Sequence, residues 1–161
     1  MCLLFGALIA CIAGCASDGS RTTATFNQGA ALAGELPTNP LAWRVISSSI
    51  APGNGTMSTL YGNDIAVDYA RTHSQPDYPA GSVLSLVTWT QIEDSRWFGA
   101  KIPAQVKSVE FLTVRGADGG DPNFSYEGYS GSPLKKASTQ QFGAPPDRIA
   151  YFLSSRAAVM P

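Results

Sequence analysis

The residue pattern predicts an α+β domain, an antiparallel β-sheet of about five strands flanked by two or more helices. Three observations lead there. Short runs of β-branched and large apolar residues recur between Pro, Gly and Asn turn signals, the mark of strands joined by hairpins. Two other segments place a capping residue or acid ahead of apolar residues that share one helical face. The order of these segments lacks the strict strand–helix alternation that builds a parallel sheet.

Residues 1–14 form an uncharged apolar run that ends at Cys15, with Ile12-Ala13-Gly14 before it. This spelling resembles the lipobox of a bacterial lipoprotein signal. The run is too short for a hydrocarbon core of about 30 Å, which needs roughly 20 residues, but it suits the apolar region of a signal peptide. A basic stretch normally precedes that region, whereas the first basic residue here is Arg21. The resemblance implies loss of residues 1–14, acylation of the Cys15 thiol, and a chain anchored by lipid and facing the periplasm; several acyl chains on one residue anchor stably. Ala16 rather than Asp after the cysteine resembles an outer-membrane sorting signal in Gram-negative cells. A plain secretory signal and a buried apolar segment are the alternatives. Residues 15–38, rich in Ser, Thr, Ala and Gly, read as the lipidated Cys15 and a flexible tether, so the folded domain is expected over 39–161.

Within that domain Trp43–Ile50 reads as a first strand, Pro52-Gly53-Asn54-Gly55 as a turn and Thr56–Tyr61 as the antiparallel return. A helix over 41–50 is equally compatible, because Leu41, Val45 and Ile46 share a helical face. Asn63 or Asp64 caps a helix through Ile65, Ala66, Val67, Tyr69 and Ala70 that stops before Pro76. After the turn Tyr78-Pro79-Ala80-Gly81 comes the strongest strand, Ser82–Thr90. Gln105–Val114 follows, with Val106, Ser108, Glu110 and Leu112 facing opposite to Lys107, Val109, Phe111 and Thr113. Phe124–Tyr129 is a shorter strand, and Asp147 caps a closing helix with Ile149, Phe152, Leu153 and Ala157 on one face.

Composition narrows the chemistry. Eleven basic and twelve acidic residues give a net charge of −1 with no basic stripe, so no nucleic-acid partner is expected. The three cysteines are Cys2, Cys11 and Cys15. Cleavage before Cys15 removes two and lipid occupies the third, which excludes a disulfide scaffold, a thiolate nucleophile and a cysteine metal site. His73 is the single histidine, too few for a histidine metal cluster.

The order of motifs is similar to that of the cytochrome P460 family. The matching pieces are Leu60-Tyr61-Gly62-Asn63-Asp64, Tyr78-Pro79-Ala80-Gly81-Ser82-Val83, Asp94-Ser95-Arg96-Trp97-Phe98-Gly99 with Ile102-Pro103, and Val109-Glu110-Phe111, over residues 41–157. The resemblance implies an antiparallel sheet flanked by helices, commonly a homodimer, with a c-type haem attached near the C-terminus and hydroxylamine or nitric oxide chemistry. This sequence departs from the pattern where the haem would be held. Covalent attachment needs Cys-x-x-Cys-His, and the segment Pro146–Ala157 contains neither residue type. The porphyrin-linked lysine of the family would be sought on the strand 82–91, which has no lysine.

The resulting expectation is a haem-free binding or interaction module, with haem as a cofactor by family resemblance only. The alternative is a haem-binding oxidoreductase or gas-binding protein that holds haem without thioether bonds. His73, near the end of a helix, is the weak candidate ligand, although a polar residue there ordinarily serves the helix terminus. Trp89, Trp97, Phe98, Tyr126 and Tyr129 form either core or a dimer seam, or else an apolar pocket for a small hydrophobic ligand. Glu93 and Asp94 are neighbours in an extended segment and point to opposite sides. Asp118 and Asp121, in Gly116-Ala117-Asp118-Gly119-Gly120-Asp121, lack the twelfth-position Glu of a calcium loop and read as a hairpin turn. Without a histidine partner in reach, no serine triad is legible.

Overall fold

The structure, a computed structural model, describes the backbone of residues 27–118 and 121–158, and side chains over 27–116 and 123–158. Six strands run in chain order as one antiparallel meander: β1 Arg44–Ala51, β2 Thr56–Gly62, β3 Val83–Glu93, β4 Lys101–Asp118, β5 Asp121–Ser130 and β6 Lys135–Ala137. Two helices complete it, α1 Asp64–Thr72 and α2 Pro145–Ser154. The α+β class holds, with six strands where about five were expected. The 41–50 ambiguity resolves as a strand from Arg44 onward, preceded by a single 3-10 turn over Pro40–Ala42, since β1 pairs with β2 from Arg44↔Gly62 to Ala51↔Thr56. The expected signal segment, residues 1–14, and Cys15 lie outside the described residues.

Alternation along the strands divides the apolar residues between the two sheet faces. One face carries Ile46, Leu60, Leu84, Leu86, Leu112 and Val114, on which α1 sets Ala66, Val67 and Ala70 and α2 sets Phe152. Asn63 fixes the entry to α1: its Oδ1 accepts from the backbone N–H of Ala66 and of Val83, and its Nδ2 donates to the Gly81 carbonyl. Cap and strand start are thus tied by one side chain, worth about 1 kcal/mol for the cap alone. Glycine at 62 lets α1 approach, because a Cβ there would stand 3.0 Å from Ala66 Cβ and 3.2 Å from Val67 Cγ2.

The closing helix starts earlier than Asp147. Ala144 takes the cap position and Pro145-Pro146 open the helix, as prolines do where an N–H has no partner to lose. The expected apolar face is present: Ile149, Phe152, Leu153 and Ala157 all pack on the first core, although Ala157 follows the helix end.

The opposite face carries Val87, Trp89, Val106, Val109, Phe111, Tyr129 and Leu134. Its cover is the segment read from sequence as tether. Ala30, Leu32, Leu36 and Trp43 pack on this face, Gly34 bridges Leu134, and the N–H of Glu35 donates to the Leu134 carbonyl at 3.0 Å. The folded part therefore includes residues 27–38 and does not start at Asn39. Small polar composition hid this, because a strap along a sheet needs only an occasional leucine to be held. Gly34, at φ 142°, is required here, since a Cβ would run into the Leu134 backbone.

Val106 also departs from the expected facing. Thr88 lies opposite Ser108 and Trp89 opposite Val106, so Lys107 is an extra residue, a bulge that turns Val106 onto the strap side.

Candidate functional site

The five aromatics read as either core or a possible pocket do not converge on one site. Trp89 and Tyr129 are buried in the strap-side core, where Trp89 Nε1 donates to the Ala30 carbonyl at 2.9 Å and Tyr129 meets Phe111 edge to face. Tyr126 stands on the helix side against Phe152. The cause is parity: residues three apart on one strand point to opposite faces. Trp97 and Phe98 sit at the β3–β4 hairpin tip, 71% and 109% exposed.

The polar centre of the molecule lies instead at Glu110, which the sequence marks only as part of a strand face. Glu110 is 3% exposed on the helix side of β4. Its carboxylate accepts from Arg148 of α2 twice, Nε to Oε2 at 2.9 Å and a terminal guanidinium nitrogen to Oε1 at 2.8 Å. The Tyr126 hydroxyl donates to Oε2 at 2.5 Å. Burial, then the bond to Glu110, pushes the Tyr126 phenol well above its ordinary range. Burial alone would lower the Arg148 guanidinium, but its bonds to Glu110 outweigh that and raise it. Donors held this firmly make a charged latch between sheet and helix, not a proton-transfer pair. The sequence signal was a lone acid on the inward face of an apolar strand, answered by an arginine in the first turns of an amphipathic helix.

The remaining candidates are dispersed. His73 is the C-cap residue of α1. Its ring stacks on Tyr69 at 4.3 Å, and Nδ1 lies 2.7 Å from Thr72 Oγ1. Glu93 pairs with Lys101 across the hairpin at 2.8 Å, a bond that lowers the Glu93 pKa, while Asp94 Oδ1 accepts from the Arg96 N–H; the two acids serve separate partners. β4 and β5 pair as far as Asp118↔Asp121, the hairpin expected there; residues 119–120 and the side chains of Asp118 and Asp121 lie outside the described part. Among the described residues no three metal-binding side chains cluster, and no helix is long and apolar enough to cross a membrane.

A family model, that of cytochrome P460, matches residues 37–144. The chain belongs to the cytochrome P460 family. No curated protein matches it. The match covers β1 through β6 together with α1 and stops before α2, so the antiparallel sheet and its first helix belong to the matched family domain.

Haem is the cofactor this P460 membership implies, and the residues present do not fit it. An apolar cavity of about 380 Å³ opens between sheet and helices, lined by Pro76, Asp77, Tyr78, Phe124 and Leu153. None of these offers imidazole or thiolate to iron. The one phenol, Tyr78, donates to the Ser155 carbonyl at 3.5 Å, and burial raises its pKa, so it stays protonated and is a poor ligand.

Proposed function

We propose that this P460-family chain is a lipid-anchored envelope protein facing the periplasm, whose domain acts as a haem-free binding or interaction module. The observation that carries the haem-free part is the donor set: these 161 residues hold no Cys-x-x-Cys-His, and the single imidazole is exposed at the end of α1, outside the lining of the apolar cavity. Support also comes from the helix side, where Phe152 and the Glu110–Arg148–Tyr126 latch pack between α2 and the sheet beside that small cavity. The anchor rests on Cys15 and the residues before it. A second copy of the chain is the partner that the family resemblance suggests, and exposed Val45 and Ile50 on edge strand β1 favour it.

Titration with haemin tests the haem-free part. Added haemin should keep the spectrum of the unbound compound at every ratio to protein. A Soret band that saturates at one haemin per chain overturns the proposal; loss of that band in His73→Ala would further assign the iron to the imidazole.

A further inference from the structure

Trp97 and Phe98 are the largest exposed apolar side chains at one end of the sheet, and nothing in the latch or the two cores uses them. The loop that carries them is ordered: the N–H of Asp94 donates to the Ala100 carbonyl and the N–H of Ala100 to the Trp97 carbonyl. Ile92, at the base of the same hairpin, is also exposed. Aromatic side chains held outward on a closed turn have a preformed shape and an uncovered area, the profile of residues that settle at a membrane–water boundary.

The position of the chain entry decides what covers them. Asn27 is bound to this same hairpin, its Nδ2 donating to the Pro103 carbonyl at 2.5 Å. Asn27 and Gln28 share an open cleft with Asp94, Ser95 and Arg96. Cys15 stands only twelve positions before Asn27, so the intervening chain reaches at most about 40 Å at full extension. An anchor at Cys15 therefore tethers the domain by the end that carries Trp97 and Phe98.

We infer that the Trp97–Phe98 tip is a second membrane contact, inserting into the lipid interface beside the anchored chain. The inference rests on the lipoprotein reading of Cys15. Charge sets the lipid class: Glu93 and Asp94 are balanced by Arg96 and Lys101, so the tip makes no electrostatic demand and a zwitterionic surface suffices. The contact orients the domain, holding α1 and α2 at a set attitude to the bilayer, where a tether alone would let it tumble.

The test uses the full chain with phosphatidylcholine vesicles, incorporated where Cys15 is acylated and mixed where it is not. Trp97 is the exposed tryptophan, with Trp43 half-buried and Trp89 buried as internal references. Lipids brominated near the headgroup should quench a component of the emission that Trp97→Phe removes, and acrylamide in the water should lose access to it. Bromolipid quenching that is equal in the wild type and Trp97→Phe, with Trp97 still open to acrylamide, overturns the inference. So does a blue shift that grows with protein concentration without vesicles, which would assign the tip to a second copy. The mass of the Cys15 peptide reads the anchor separately: an unacylated Cys15 refutes the lipoprotein reading, while the quenching still decides the tip.

Discussion

Arg148→Ala lowers stability by about 3–5 kcal/mol, the cost of stranding one partner of a buried ion pair. The size follows from where Glu110 sits. With a side chain only 4% exposed against 21% for Arg148, the carboxylate cannot reach water when its partner is removed. The reverse change, Glu110→Gln, costs less, because the longer guanidinium stem can turn its charge outward and the amide still accepts from Tyr126. Replacing both by apolar residues, Glu110→Leu with Arg148→Met, should recover much of the loss, since a buried pair often stabilises no more than well-packed hydrocarbon. Urea unfolding of the three variants checks this. Equal losses in Arg148→Ala and Glu110→Gln would show that the latch does not hold α2 in the way described.

Trp89→Ala is the second large effect, a loss of about 3–5 kcal/mol typical of a large aromatic taken from a core. Trp89 is 4% exposed between the sheet and the strap. Trp89→Phe isolates the polar part: most of the packing remains while the bond to the Ala30 carbonyl is gone, a change of about 1 kcal/mol. Hydrogen exchange localises the result. Amides of residues 28–36 should lose protection in Trp89→Ala well before those of α1, because the strap has few other holds. A near-neutral Trp89→Ala would mean that this face encloses open space instead of a packed core.

Both predictions concern contacts that local pattern reading reaches unevenly. β3 and the cap at Asn63 were legible because β-branched runs and capping side chains act within a few residues. β6 was not, as Lys135–Ala137 is three residues long and shows no period of its own; it exists because β5 offers an edge. The strap over 27–38 escaped for a related reason, since its hold on the sheet is long-range and its composition is that of a linker. Val106 takes the face opposite to the one its alternation predicts, because the bulge at Lys107 is set by strand pairing, which one strand does not announce.

The aromatic pocket is a different case. The spacing of Tyr126 and Tyr129 already placed them on opposite faces once 121–130 is a strand, so counting aromatics obscured a parity the sequence contained. Trp97 and Phe98 lay in a recognisable turn, and their exposure follows from it. Glu110 was visible as a polar residue on an inward face, but its partner 38 positions later could be named only after α2 was docked. The departure from the family's haem-attachment motif is the most legible feature of all, because it depends on which residue types occur and not on where they fold.

The central claim is that a P460-family fold persists here without haem. The most direct measurement is the absorption spectrum and iron content of the full chain purified from haem-replete cells. A protein transparent above the aromatic band, with iron far below one atom per chain, is the predicted result. A Soret band accompanied by one iron per chain would contradict it.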